Sequence, residues 1–147
     1  MLIGLDPAAV QDYISQYDPA KDDSEQATIF QLGTLDSYVV SWLNDRLTEY
    51  EPNDDGQVAA RIPYHRRNID IVRFGLRGLE RFQDAQGNEI QFITVSTLVG
   101  GRTYQTVDPD IIALLPNKVI QELAKRIWRD NQTTLEEAKN SDAPSSQ

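Results

Sequence analysis

FGLRGLERFQDAQGNEIQF, residues 74–92, decides how the middle of this chain is read. It holds Gly75 and Gly78 in a Gly-x-x-Gly frame, Arg77 and Arg81, and a polar segment centred on Gly87. Ile69, Val72, Leu76 and Leu79 recur at helical spacing straight through the frame, with Phe82 at the edge of that face. The spacing predicts a helix from about Asn68 to Phe82. Each internal glycine costs such a helix about 1 kcal/mol relative to alanine, which implies close approach of another backbone. DAQGNE (84–89) then reads as a turn and EIQFITVSTLV (89–99) as a β-branched strand.

The Gly-x-x-Gly frame also occurs in RNA-binding KH domains, between two helices, with the glycine backbone open to phosphates. An apolar period that runs through the frame argues for packing instead and leaves an RNA-binding module as an alternative. A dinucleotide fingerprint is ruled out because the third glycine, the preceding strand and the downstream acid are missing. On a helix, Arg73, Arg77 and Arg81 step by four and form a cationic stripe suited to carboxylates or phosphates. Its counter-charge is the acidic cluster Asp22, Asp23 and Glu25. Residues 1–60 carry twelve acids against Lys21 and Arg46, while 61–81 carry six arginines against Asp70 and Glu80. The interface candidates are therefore Arg66, Arg67, Arg73, Arg77, Arg81, Asp22, Asp23 and Glu25.

Towards the N-terminus, TLDSYVVSWLNDRLTEY (34–50) predicts an amphipathic helix with Thr34 as N-cap and Asp36 in the first turn. Its apolar face comprises Leu35, Tyr38, Val39, Trp42, Leu43, Leu47 and Tyr50. EPNDDGQ (51–57) reads as the loop that stops it. Asp-Pro recurs at 6–7, 18–19 and 108–109 as capping or turn chemistry, the first predicting a short helix. Thr28–Phe30 reads as a short edge strand. Towards the C-terminus, Gly100-Gly101 predicts a two-residue hairpin returning through RTYQTV. A helical turn follows Asp108, and a helix opening at Pro116 packs Val119, Ile120, Leu123, Ile127 and Trp128 and ends near Asn131.

These elements predict an α+β fold: a small, mainly helical domain with one β-hairpin. Residues 1–33 read as an acidic arm with a short helix, 34–131 as the core domain and 132–147 as a polar tail. The 147 residues suffice for one modest core. No apolar run reaches the ~18 residues of a membrane span, and MLIGLDPAAV lacks the basic region of a secretory signal. The absence of cysteine excludes disulfides and thiolate metal sites. His65, the single histidine, reads as a surface residue, and no cofactor or metal is expected. The turn 84–89 lacks the spacing of a calcium loop, and Asp108 and Asp110 are explained by capping. A net charge of −9 disfavours general nucleic-acid binding.

ATIFQLGTLDS (27–37), IVRFGLRGLERFQDAQGNEIQF (71–92) and DIIALLPNKVIQELAKRIWRDNQTTLEEAKNS (110–141) follow one another in an order that resembles the small morphogenesis proteins of tailed bacteriophages. The resemblance covers roughly residues 27 to 141 and rests on helix and turn grammar. It implies a non-enzymatic virion protein, either a head-decoration (cement) or head–tail connector subunit, binding other phage structural proteins and copies of itself. The alternative it implies is a tail-assembly chaperone that binds the tape-measure protein. The implied location is the virion, assembled in the host cytoplasm.

Overall fold

The helix expected over 68–82 divides at Gly75 in the computed structural model, which describes residues 1–46, 49–52, 56–61 and 64–140. Helix α2 runs Tyr64–Gly75, and the chain passes directly into strand β5, Leu76–Glu80. β5 pairs antiparallel with β2 (Ile29–Gly33), which also pairs with β1 (Val10–Tyr13), giving the order β1-β2-β5. Thr28–Phe30 therefore opens the central strand of this sheet, where an edge strand was expected.

A bulge explains why β5 carries a helical spacing. Phe30 stands opposite Leu79 and Gln31 opposite Gly78, but Leu32 stands opposite Leu76. Arg77 is the extra residue, so Leu76 and Leu79, three apart, face the same core. A regular strand would send them to opposite faces. The glycines do pack closely, but against side chains and not against another backbone as expected. A Cβ on Gly75 would lie 2.6 Å from Ile127 Cδ1, and one on Gly78 would meet the Gln31 side chain.

The remaining elements are α1 (Ser37–Arg46), the β3–β4 ribbon (Glu49–Pro52 with Val58–Arg61), the β6–β7 ribbon (Thr94–Val99 with Arg102–Val107), α3 (Pro109–Leu114) and α4 (Asn117–Asn140). The fold is α+β, but seven strands among the described residues replace a mainly helical domain with one hairpin. Residues 6–9 form a turn rather than a helix: Asp6 Oδ1 accepts from Ala8 N at 3.0 Å, and the chain then enters β1 because β2 offers it a partner edge. α1 is capped by Asp36, not Thr34; Asp36 Oδ1 accepts from Val39 N at 2.9 Å. It stops at Arg46, so Tyr50 and, from the expected loop, Glu51 and Pro52 fall in β3; Leu47 and residues 53–55 of that loop lie outside the described residues. The expected end at Asn131 is also too early, since α4 continues to Asn140 through the good helix formers of LEEAK.

The core forms where α2 packs on α4 and is flanked by the sheet, α1 and β7. Leu35, Leu43, Val72, Leu76, Leu123 and Ile127 are its most enclosed large side chains. Trp42, Phe74 and Tyr104 meet edge to face at 5.4 and 5.8 Å and tie α1, α2 and β7 together. Tyr38, expected on the apolar face of α1, is instead exposed and lies under Arg102. Asn131 is buried and its Oδ1 accepts from Leu35 N at 3.1 Å, so α4 also supplies a polar anchor ahead of α1. The Asp108-Pro109, Gly-Gly and DAQGN signals hold: Asp108 caps α3, Gly100 and Gly101 close the hairpin with φ of 57° and 79°, and Gly87 turns with φ 84°.

Candidate protein interface

The arginines at 73, 77 and 81 do not form a stripe, because the helix ends between the first and second. Arg77 and Arg81 serve different junctions, and Arg73 pairs within α2. Arg77 Nε donates to Phe74 O at 3.1 Å, Nη1 to Pro7 O at 2.9 Å and Nη2 to Thr34 O at 2.7 Å. Its side chain lies over Gly33, where a Cβ would stand 2.7 Å from Arg77 Cγ. One guanidinium thus caps the end of α2 and ties it to the N-terminal segment and the approach to α1. Burial lowers the Arg77 pKa from its ordinary value, and the nearby Asp36 opposes that shift.

Arg81 follows β5 with φ 57°, a left-handed backbone that costs a side-chain-bearing residue about 1 kcal/mol or more. Its contacts offset that strain. Arg81 Nε donates to Ala27 O at 2.8 Å and Nη2 to Ser24 O at 2.9 Å, while its own carbonyl accepts from Thr28 Oγ1 at 2.8 Å. The structure therefore does bring Arg81 to the segment bearing Asp22, Asp23 and Glu25, but to its carbonyls, not its carboxylates. Arg73 pairs with the buried Asp70 at 3.0 Å. Arg67 lies over Trp128, 4.4 Å from the ring centre, joining α2 to α4. Arg66 and His65 are exposed at the start of α2.

The acidic segment has a defined shape. Asp18 Oδ1 accepts from Ala20 N and Oδ2 from Thr28 N, both at 2.8 Å, and Asp23 Oδ1 accepts from Glu25 N at 3.0 Å. Asp22, Asp23 and Glu25 stand exposed on this clamped loop. The 84–89 segment is a turn in which Asp84 Oδ1 accepts from Gln86 N and Asn88 N, both at 2.9 Å. Among the described residues no group of three or more acidic or histidine side chains is placed to hold a metal, and no helix is long and apolar enough to cross a membrane.

One surface lies outside the candidates drawn from the sequence. α4 carries Lys118, Glu122, Lys125 and Arg129 at i, i+4, i+7 and i+11, a helical stripe that spacing alone displays. With Tyr13, Tyr17 and Arg126 it lines a groove of about 420 Å³. A neighbouring cleft of about 640 Å³ lies between the acidic loop, Arg81–Gln83 and the α3–α4 junction, sharing Tyr17 and Lys118 with the groove. Apolar side chains are exposed elsewhere: Leu2 and Ile3 at the N-terminal end, 75% and 67% exposed, and Leu98 on the outer face of β6, 69% exposed. No family model matches the chain, and comparisons with curated proteins and with solved structures give no match.

Proposed function

We propose that this chain is a non-enzymatic structural subunit of a tailed-bacteriophage virion, of the head-decoration or head–tail connector type, that binds neighbouring subunits. The observation that carries the reading is the contrast between a core tied together by specific long-range contacts and the surfaces it presents. Arg77, Arg81, Asn131 and the Trp42–Phe74–Tyr104 column hold the elements together. Outside them stand an apolar N-terminal end, an exposed Leu98 and a preformed acidic loop. Such features suit docking, in which apolar anchors supply affinity and charged pairs set register. The resemblance in residues 27–141 supplies the phage context.

Mass spectrometry of purified particles tests the proposal. A stoichiometric copy of the chain in mature virions is the expected result, and its absence sinks the reading. Co-purification with the tape-measure protein, together with absence from the particle, would support the assembly chaperone instead.

A further inference from the structure

We infer that the α4 groove takes the acidic 18–25 loop of a second copy of this chain. In this contact Lys118, Lys125 and Arg129 of one copy face Asp22, Asp23 and Glu25 of the other. The inference deepens the proposed function and rests on its reading of the chain as an assembling subunit. It moves the cationic half of the contact from the arginine block of 61–81, of which Arg67, Arg73, Arg77 and Arg81 serve internal contacts, to a helix face that the sequence left unassigned.

The groove is a built surface. Lys118 Nζ lies 4.7 Å from the Tyr17 ring centre and Arg126 Cζ lies 5.3 Å from that of Tyr13, so aromatic rings hold two of the cations in place. Glu122 is the one carboxylate among the described residues lining the groove, and its Oε2 is turned to accept from Gln16 N at 2.9 Å. Asp130 pairs with Arg126 at 2.8 Å and lies 3.9 Å from Arg129, so four cations stand against two acids in a chain whose net charge is −9. A field of that sign on an acidic molecule attracts the acidic surface of another copy.

The loop is equally prepared. Its Asx turns and the Arg81 clamp hold the backbone from Asp18 to Thr28, so docking requires little further ordering. Within the chain, no ion pair among the described residues joins Asp22, Asp23 or Glu25 to Lys118 or Lys125. Loop and groove flank the same 640 Å³ cleft, which Asp18, Pro19 and Lys118 all line. A two-fold arrangement of copies lets the loop of each reach the groove of the other, so the charge pairs form twice.

A zero-length carbodiimide joins amines to carboxylates only when they touch, which makes it the direct test. The full-length chain is mixed in isotopically light and heavy forms at low salt and cross-linked. Mixed-isotope peptides joining Lys118 or Lys125 to Asp22, Asp23 or Glu25 are expected, and they should fade as salt screens exposed pairs. Lys118→Glu should reduce the links made through the remaining Lys125 severalfold, and Lys125→Glu those made through Lys118. Mixing K118E/K125E with D22K/D23K should restore cross-links in reversed polarity between the two variants. Links confined to single-isotope peptides, or Lys125 links whose mixed yield is untouched by Lys118→Glu, overturn the inference. If the chain is present in virions but forms no mixed-isotope links, the virion reading stands and this contact falls. If mixed links form in a chain that is absent from virions, the contact stands and the virion reading falls. Retention of an RNA oligonucleotide by the groove, lost in K118E/K125E and without mixed links, also overturns the inference.

Discussion

Gly100 and Gly101 turn the β6–β7 hairpin with φ of 57° and 79°, and no atom stands within 4 Å of where a Cβ on Gly101 would be. Gly75 has no such backbone demand, yet a Cβ there would sit 2.6 and 2.7 Å from Ile127 Cδ1 and Cγ2. The first pair is glycine because of its own dihedral angles. The second position is glycine because a helix some fifty residues later leans on it. A requirement of the first kind is local and readable in the sequence, whereas one of the second kind exists only once α2 and α4 have packed. Arg77 and Asp84 divide in the same way: Arg77 ties the end of α2 to two distant segments, while Asp84 bonds only to its own turn.

The largest effect should come from the long-range side of that division. Arg77→Ala removes donors from three carbonyls, two of them outside its own stretch, and should cost about 2–3 kcal/mol in urea denaturation. Arg77→Lys should recover only part of this, because an ammonium lacks the planar fork. A loss below about 0.5 kcal/mol would mean the junctions hold without it. Gly75→Ala should cost about 2 kcal/mol by overpacking against Ile127. The double variant with Ile127→Ala should be less destabilised than the sum of the singles, and strict additivity would break the packing account.

The local side predicts smaller losses with a different order of tolerance. Gly101→Ala should cost about 1 kcal/mol through its left-handed backbone, and Gly101→Asn less, since asparagine visits that region more readily. At Gly75 the order should reverse, alanine being tolerated better than the bulkier asparagine. The same order at both sites would erase the comparison. Smallest is the Asp84 turn. Hydrogen bonds to its carboxylate, from Asn88 N first, hold its pKa below the ordinary 3.8. Its contribution is therefore complete above the unfolded pKa and disappears as pH falls through the folded one. A carbon-13 titration of the Asp84 carboxyl measures this, and a midpoint at or above 3.8 contradicts it.

The same division explains what could be read in advance. The Asp108 cap, the Gly100–Gly101 turn, the DAQGN turn and the apolar face of α4 are local arrangements, and each is legible from its residues. The passage from α2 to β5 is not. Leu76 and Leu79 keep helical spacing because the bulge at Arg77 places them on one face of a strand, and that bulge is defined only by pairing with β2. The arginine stripe fails with it, since it assumes the same helix. β1 is hidden for a related reason: VQDY has little strand pattern of its own and pairs because the edge of β2 is there to meet it. The α4 stripe is visible in spacing, but the denser arginine block of 61–81 outweighs it in any reading based on charge alone.

The sequence by itself determined the α+β class, the capping and turn sites, most of the buried side chains and the segregation of acidic from basic residues. These follow from interactions within a few residues of one another, or from which side chains water rejects. Tertiary structure alone decided where α2 stops, which glycines are held by packing, and that Arg77 and Arg81 bind carbonyls and Arg67 a ring inside the fold. It also decided that a cationic helix face and a clamped acidic loop flank one cleft. Those outcomes depend on which segments meet, and the free energy that selects the meeting is shared among residues far apart in the chain.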